Sequence, residues 1–296
     1  ASIMSLFSVF QKKIYTKARP IPIPESYNYV LIILDSCRFD SFVEAKPQFM
    51  NKLGTLQRRW SYASWTAPSH YNLMLGLLPH DNPTNVVAST VYKKELLHFS
   101  ERLNIPNIQF EHMLPRMWLP QYLQSLGYYT QAIVSMPVIN PSTPIAVDFD
   151  EYILLKKHNN LRGAFRFLKF SQERPTFCLI NTGETHYPYA PPNEPPSQWP
   201  RINGLHGVFR KLQKGETIQN QSFNLDRLAQ LHQRQIRAVR SVDKAIEELF
   251  DLLPPNTFVT ITSDHGELFG EEGFFGHGPI QHEKVLEVPF IEGKLR

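Results

Sequence analysis

The sequence predicts an α/β fold, in which a mostly parallel central sheet carries helices on both of its faces. Strand-like apolar runs alternate with helical patterns along the chain, which is typical of parallel strands joined by crossover helices. The segment 27–35 holds an unbroken apolar run of Ile, Leu and Val, as in strands that are buried on both faces. The length of 296 residues suits one large domain of this class.

The composition is that of an ordinary globular protein, with 42% hydrophobic and 20% charged residues. A net charge of +4 is too small to indicate a nucleic-acid-binding protein, and it is compatible with a small anionic substrate. Cys37 and Cys178 are too few for a disulfide framework or a zinc ribbon, and Cys37 is expected to be a buried, inert thiol. This cysteine content favours a reducing compartment, so we expect a cytoplasmic protein.

Two regions are expected along the chain: an N-terminal arm with a linker at 1–26, and a single domain at 27–296. In the arm, a short apolar run precedes the basic residues Lys12, Lys13, Lys17 and Arg19. A signal peptide has the opposite order, and no segment reaches the ~18 to 20 apolar residues of a membrane helix. The arm is therefore expected to pack as a helix or to make a weak contact with a membrane surface.

Helical patterns follow the first strand. Pro47 suits the first turn of a helix over 47–60, and a proline also stands near the start of a short helix over 67–79. The segment 119–135 predicts a helix that stops at Gly127 and is followed by a strand.

The second half of the chain continues the alternation. The segment 161–172 is predicted to be helical, and 175–186 to be a strand that runs into a loop. Proline, asparagine, glutamine and glycine predict a long surface excursion over 190–222. A long helix is predicted over 225–253, and 256–264 is the last clear strand. The helix has apolar residues at helical spacing on one face, namely Val239, Val242, Ile246, Leu249 and Leu253.

Polar residues follow three of the predicted strands at the point where each strand ends. They are Asp35, the segment 181–184, and the pair Asp264 and His265. Because ligands of open α/β sheets bind beyond the carboxyl ends of the strands, these groups are expected to converge on one rim. A buried carboxylate needs a partner such as a divalent cation, and two Asp with one His suit zinc or manganese. Taken alone, Asp35 is more typical of a capping or ion-paired residue.

A hydroxyl group suited to act as a nucleophile lies at the start of the second helix. Thr66 stands just before the proline of WTAPSHYNLMLG, where backbone amides and the helix dipole favour an anion. Such a hydroxyl is a poor nucleophile until a base or a metal activates it. Thr66 is also compatible with a plain helix cap, and Ser64 and Ser69 offer competing hydroxyls.

Five sequence blocks resemble the sulfatase branch of the alkaline phosphatase superfamily: VLIILDSCRFDSF, WTAPSHYNLMLG, THYPYAPP, TITSDHGELFGEEGFFGHG and VPFI, in this order. The resemblance runs from residue 28 to residue 291, and it is closest to the phosphoethanolamine and phosphoglycerol transferases and related phosphatases. It implies that 27–296 is a sulfatase-like catalytic domain. The chain ends soon after VPFI, so its C-terminal subdomain is expected to be short or absent.

The resemblance also implies a metal site and a nucleophile. Asp35, Asp264 and His265 would hold one divalent metal, with Zn or Mn expected first and Mg or Ca as alternatives. Thr66 would be a further metal ligand and the nucleophile, and it would form a covalent phosphothreonine during hydrolysis or transfer of a phosphate ester. The cation would deprotonate the hydroxyl and screen the anionic substrate.

Two histidines complete the implied site. His186 and His277 would contact the substrate, the leaving group or a second metal, and a flanking histidine can protonate the leaving oxygen. Glu267 would help to hold a second metal, which is doubtful because the Asp-x-x-x-His segment of two-zinc phosphodiesterases is missing. The glycines between 266 and 278 would let the loop fold back and bring His277 toward Thr66.

The chain departs from the sulfatases proper at its nucleophile. Their block has Cys or Ser, matured to formylglycine, whereas Thr66 cannot be converted in this way, and His70 stands at the position of their arginine. Both changes favour phosphate esters, as in a phosphatase or phosphodiesterase. Two alternatives stay open: a sulfatase that acts with an unmodified threonine, and a non-catalytic protein that has kept the fold.

Overall fold

The structure is a computed structural model that describes residues 27–76, 118–202, 223–278 and 281–295. A seven-stranded sheet lies at its centre, and a second sheet has two strands. The described strands are β1 Tyr29–Leu34, β2 Gln57–Trp60, β3 Tyr129–Val134, β4 Glu151–Leu154, β5 Thr176–Thr182, β6 Phe258–Thr262, β7 Leu268–Phe269, β8 Phe275–Gly276 and β9 Glu287–Lys294.

The central sheet has the strand order β2-β9-β6-β1-β5-β3-β4, and β7 pairs with β8 in the small sheet. Strands β6, β1, β5, β3 and β4 run parallel to one another. Strand β9 is antiparallel to β6, and β2 is antiparallel to β9. In the register, Leu34 lies beside Thr182, and Ile33 lies beside both Asn181 and Thr262. The predicted mostly parallel sheet is confirmed, and β1, β5 and β6 end side by side.

Helices cover both faces of the sheet. The described helices are α1 Phe39–Ala45, α2 Thr66–Leu75, α3 Leu119–Ser125, α4 Leu225–Leu252 and α5 Glu283–Leu286. On one face, Phe42 of α1 and Ile236 of α4 pack in a core cluster with Leu34. On the other face, Met74 of α2 packs in a second cluster with Ile33, and residues of α3 join it. Because alternate side chains of β1 serve the two clusters, the whole strand is apolar.

Several predicted elements are confirmed. The long helix over 225–253 is α4, and its apolar stripe is buried. The helix over 67–79 is α2, which ends at Gly76 with a φ of 68°, a conformation that glycine adopts readily. The predicted helix and strand over 119–135 are α3 and β3. The last residues of the predicted second helix, 77–79, lie outside the described part of the chain.

The predicted helix over 47–60 is wrong. The segment forms one 3-10 turn at Met50–Lys52 and then strand β2, which pairs antiparallel with β9. Gly54 marks the break, because a Cβ at this position would lie 2.4 Å from the carbonyl oxygen of Glu292 in β9. The backbone at Gly54 therefore lies directly against β9. All four side chains of β2 are exposed, so the strand has no apolar alternation that the sequence could display.

The segment 161–172, predicted to be helical, contains a 3-10 helix at Leu161–Phe167. The prediction of the last strand needs an addition. The run at 256–264 is not the last strand, because β9 follows it at Glu287–Lys294. The arm at 1–26 and residues 203–222 of the predicted surface excursion lie outside the described residues. Across the described residues, no helix combines the length and the apolar character that crossing a bilayer requires.

A buried carboxylate joins α4 to the segment that follows α1. Asp243 of α4 is 5% exposed, and it accepts hydrogen bonds from three backbone N–H groups. The donors are Gln48 at 2.7 Å, Phe49 at 3.0 Å and Met50 at 2.8 Å. Hydrogen bonds to an ionised acceptor are among the stronger ones in proteins, and these hold the turn against the helix.

We expect Asp243→Ala to lower the free energy of unfolding by about 2–4 kcal/mol, because it leaves buried backbone donors without an acceptor. Urea denaturation followed by circular dichroism measures the change. Asp251→Ala is the matched control, since Asp251 is an exposed residue of the same helix, and we expect a change within about 0.5 kcal/mol. Equal stabilities of the two variants would contradict the role given to Asp243.

Candidate active site

Neighbouring strand ends supply the polar groups of the site. After β1, the backbone N–H of Asp35 still donates to the carbonyl oxygen of Thr182 at 2.9 Å, which continues the sheet by one residue. Strand β5 ends with Asn181 and Thr182, and β6 leads into Asp264 and His265. The structure brings Asp35, Asp264 and His265 together, with their potential ligand atoms within 4.8 Å of one another.

The hydrogen bonds around Asp264 and His265 show which atom of each residue could bind a ligand. One carboxylate oxygen of Asp264 accepts from the backbone N–H of Ser36 at 3.1 Å and of His265 at 3.0 Å. The other, Oδ2, is buried and has no hydrogen-bond partner. Nδ1 of His265 lies 2.9 Å from the carbonyl oxygen of Gly266, so its Nε2 is the nitrogen left for a ligand.

This donor set fits a divalent cation. Asp35, Asp264 and His265 are at most 1% exposed, and they offer two carboxylates and one imidazole. A buried carboxylate oxygen without a partner is costly, and a cation would satisfy it. Because metal-bound histidines usually donate their other N–H to a carbonyl or carboxylate, the bond from His265 to Gly266 is also what a metal site requires.

Charge repulsion between the two aspartates also favours a bound cation. Burial raises the pKa of Asp264 well above its usual range, and the negative charge of Asp35 adds to this effect. Burial also opposes ionisation of Asp35, but nearby histidines, together with a hydrogen bond from the Asn181 amide, outweigh it and lower its pKa. The histidines are His186, His265 and His70. The pair therefore accommodates a single negative charge readily, and a second one needs a positive partner.

Thr66 is the first residue of α2, and its hydroxyl lies against the cluster. Oγ1 is 3.5 Å from Oδ2 of Asp35 and 3.3 Å from Nε2 of His265. The N-cap position of the helix is occupied by Trp65, so Thr66 is not a plain helix cap. The competing hydroxyls are engaged elsewhere. Ser64 donates to the Gly278 carbonyl oxygen at 2.7 Å, and Ser69 donates to a backbone oxygen at 3.0 Å.

Two further residues complete the inner part of the site, and the sequence analysis gave neither of them a role. The side-chain amide of Asn181 donates to Oδ2 of Asp35 at 3.1 Å and lies 3.5 Å from Nε2 of His70. Nδ1 of His70 lies 2.8 Å from the carbonyl oxygen of Thr66. His70 was noticed only as a replacement for arginine, and Asn181 only as a polar strand end, although its position beside β1 marks it as a neighbour of Asp35.

The structure places His186 and His277 at the rim of the same site. Their rings lie 5.3 Å apart, and the ring of His277 lies 4.3 Å from that of His265. Burial lowers the pKa of His265 well below its usual range, and the charge of His277 adds to this, which keeps His265 neutral as a ligand must be. For His277, burial would lower the pKa, but the Glu267 carboxylate 2.8 Å from Nδ1 outweighs burial and raises it.

The glycine-rich loop after His265 folds back toward the segment that carries Thr66. The backbone N–H of Gly278 donates to the carbonyl oxygen of Ser64 at 2.8 Å, two residues before Thr66. Gly278 has a φ of 96°, and a Cβ there would lie 3.1 Å from the Trp65 ring. A glycine is therefore required both by the backbone conformation and by the close approach.

Comparisons with known proteins agree with this architecture. The family model described as Sulfatase matches residues 27–291. The putative extracellular sulfatase Sulf-1 homolog of Caenorhabditis elegans is 38% identical over 66 residues, which are 21% of this chain. The chain spans 9% of the length of that curated relative.

Two solved structures extend the comparison. One is the C-terminal periplasmic domain of EcEptC from Escherichia coli in complex with Zn, with a TM-score of 0.54 and 15% identity over 95% of this chain and 75% of that chain. The other is the phosphonate monoester hydrolase of Agrobacterium radiobacter, with a TM-score of 0.57 and 15% identity over 91% of this chain and 68% of that chain. At these identities the likeness shows the fold.

The mostly parallel sheet and the strand-end site are those of a sulfatase-type α/β domain. The family model covers most of the chain, and the protein belongs to the sulfatase family. The predicted fold class and family resemblance are thereby confirmed.

The predicted cytoplasmic location is wrong. Two of these relatives, from Caenorhabditis elegans and Escherichia coli, are described as extracellular and periplasmic. The prediction rested on the two cysteines, which are both free and fully buried. Burial raises the pKa of the Cys37 and Cys178 thiols, so both are shielded and unreactive. Their free state follows from packing and carries no information about the compartment.

The Asp264→Asn variant should show two effects of this carboxylate: it destabilises the metal-free protein, and it binds the metal. Without metal, we expect the variant to be more stable than the wild type, because it removes a carboxylate whose ionisation is opposed by burial and by the charge of Asp35. With Zn²⁺ at about 100 times its Kd, the wild type should gain roughly 2.7 kcal/mol, and the variant should gain little.

Thermal unfolding with and without Zn²⁺ measures both effects. Asp251→Asn, an exposed change of the same type, should follow the wild type in both conditions. An equal gain of Asp264→Asn and wild type on addition of metal would show that Asp264 is not a ligand.

Proposed function

We propose that this protein is a metal-dependent hydrolase or transferase of phosphate esters that acts through a covalent phosphothreonine at Thr66. The supporting observation is the position of the Thr66 hydroxyl oxygen, 3.5 Å from an oxygen of Asp35 and 3.3 Å from Nε2 of His265. A hydroxyl in contact with two candidate ligands is placed to share their cation. The substrate we infer is a small anionic ester.

In this proposal, Asp35, Asp264, His265 and Thr66 hold one divalent cation. Carboxylate, hydroxyl and imidazole donors suit Zn or Mn, with Mg or Ca as alternatives, and the Zn complex of the Escherichia coli domain supports zinc. When bound, the cation would lower the pKa of the Thr66 hydroxyl and offset the charge of the ester.

Three side chains, those of Thr66, His277 and His186, then take part in the transfer of the phosphoryl group. The Thr66 hydroxyl first loses its proton to solvent. Its oxygen then forms a bond to phosphorus while the bond to the leaving oxygen breaks, and the leaving oxygen keeps the electron pair. His277 donates a proton to that oxygen, and His186 contacts the phosphoryl group. In the second step, the oxygen of water or of an acceptor hydroxyl bonds to phosphorus and gives its proton to His277. The bond to Thr66 breaks and the enzyme is restored.

Three features support a phosphate ester over a sulfate ester. Thr66 cannot become formylglycine, and His70 occupies the position at which the sulfatases proper have an arginine. The phosphonate monoester hydrolase among the structural relatives acts, by its description, on a phosphorus centre. The extracellular and periplasmic relatives also support a place of action outside the cytosol.

We expect Thr66→Ala to abolish turnover of phosphate esters, with a loss of at least ~10³-fold, because it removes the hydroxyl that lies against both Asp35 and His265. Thermal unfolding and metal content should stay close to those of the wild type. Thr66→Ser is the matched control and should keep part of the activity. A phosphorylated residue trapped by acid quenching should map to Thr66 by mass spectrometry, and near-normal rates of Thr66→Ala would exclude it as the nucleophile.

The second candidate is a sulfatase with an unmodified threonine, which the match to the Sulfatase family model favours. Aryl phosphates, aryl phosphodiesters and aryl sulfates with the same leaving group separate the two functions. We expect faster turnover of a phosphate than of the matched sulfate, and the reverse order would establish the second candidate. Turnover of none, together with less than about a tenth of an equivalent of bound metal, would indicate a non-catalytic protein.

A further inference from the structure

Three histidines meet at the site, and the partners of their Nδ1 atoms differ. Nδ1 of His265 and Nδ1 of His186 lie 2.9 Å and 2.8 Å from backbone carbonyl oxygens. Nδ1 of His277 instead lies 2.8 Å from a carboxylate oxygen of Glu267. Hydrogen bonds with an ionised partner are about twice as strong as neutral ones, so His277 is held in a way that the other two are not.

Glu267 is itself fixed from the core. It is 1% exposed, and its second carboxylate oxygen accepts a hydrogen bond from the hydroxyl of Tyr189 at 2.8 Å. Tyr189 is also 1% exposed, and it packs in a buried aromatic cluster with Phe269 and Phe275. A continuous chain of hydrogen bonds therefore runs from Tyr189 through Glu267 to His277. Each carboxylate oxygen of Glu267 has one partner in this chain.

We propose that Glu267, anchored by Tyr189, is a positioning residue that fixes the tautomer and ring orientation of His277, so that His277 and not His186 exchanges the proton with the leaving group. This inference rests on the proposed function. It replaces the role of Glu267 as a ligand of a second metal, because both of its oxygens are engaged in orienting its neighbours.

The geometry leaves Nε2 of His277 as the nitrogen that exchanges the proton. With Nδ1–H directed at Glu267, Nε2 lies on the opposite side of the ring and is the free nitrogen. The His277 side chain is 21% exposed, and its ring lies 4.3 Å from that of His265, which contacts Thr66. Nε2–H gives its proton to the leaving oxygen while Nδ1–H stays with Glu267. Nε2 takes a proton back from the attacking water or acceptor hydroxyl.

The dependence of the rate on the leaving group tests this assignment. Phenyl phosphate has a more basic leaving oxygen than 4-nitrophenyl phosphate, so its hydrolysis needs proton donation more. For Glu267→Gln we expect kcat/KM to fall at least ~30-fold with phenyl phosphate and at most about threefold with 4-nitrophenyl phosphate, within the usual range for general acid catalysis. Tyr189→Phe, which removes one hydroxyl, should shift the ratio in the same direction by about threefold to tenfold.

Controls separate positioning from other roles. Glu272→Gln is the matched change at an exposed position of the same loop, and it should alter both rates by less than about twofold. In a His277→Ala background, Glu267→Gln should cause no further selective loss with phenyl phosphate. Equal losses on both esters with fewer bound metal ions would make Glu267 a metal ligand and overturn the inference. An unchanged ratio of the two rates would also overturn it.

A measurement that needs no turnover tests the positioning role of Glu267 separately from the proposed function. Histidine-selective ¹⁵N NMR of the metal-loaded protein should show His277 with a hydrogen on Nδ1, and Glu267→Ala should give a mixture of tautomers. A single, unchanged Nδ1–H form in Glu267→Ala would refute the positioning role. A lost tautomer preference with no turnover of any ester would instead leave the positioning role standing and refute the proposed function.

Discussion

Two carboxylates buried side by side are the constraint on which the rest of the structure depends. Asp35 and Asp264 are at most 1% exposed and share a cluster whose ligand atoms lie within 4.8 Å of one another. At such a distance and an effective dielectric constant of ~20, two like charges repel by roughly 3–4 kcal/mol. The surrounding chain compensates with donors: Asn181 and Ser36 donate to Asp35, and two backbone amides donate to Asp264. Oδ2 of Asp264 has no hydrogen-bond partner, and a bound cation would satisfy it.

The long helix α4 supports this arrangement with one buried polar side chain. The amide of Gln235 donates to the carbonyl oxygens of Ser36 at 2.8 Å and Thr185 at 3.0 Å. Its own oxygen accepts from the hydroxyl of Ser41 at 2.6 Å. Ser36 follows Asp35, and Thr185 precedes His186, so a single residue joins the loops of β1 and β5. The helix thus serves the core through its apolar stripe and the site through Gln235.

The sequence predicted the parts of the molecule that local patterns encode. Strand β1 and helix α4 follow from apolar periodicity, and Asp35, Asp264 and His265 follow from their positions at strand ends. The structure brought those three residues together as expected. Glu267 was assigned to a second metal, because the motif does not show that Tyr189 occupies one of its oxygens.

Other parts depend on contacts between distant segments, which no local pattern displays. Strand β2 was taken for a helix, since its exposed side chains show no alternation and only pairing with β9 makes it a strand. Asn181 and Gln235 gained their roles from neighbours about 150 and 200 positions away in the sequence, at Asp35 and Ser36. The cysteines led to the wrong prediction of a cytoplasmic location, because burial and not the compartment keeps them free.

The proposed nucleophile and the proposed proton-donating histidine lie on segments that are far apart in the sequence but are held together by hydrogen bonds. Ser64 exchanges two hydrogen bonds with Gly278, one to each backbone group, at 2.8 Å and 2.7 Å. Thr66 follows two residues after Ser64, and His277 immediately precedes Gly278. Catalytic groups must keep a common distance to the reacting atom, and a short rigid connection achieves this better than two independent loops. If the proposed roles of the two residues hold, the glycine-rich return of the loop is part of the catalytic geometry, because it fastens His277 to the segment that carries Thr66.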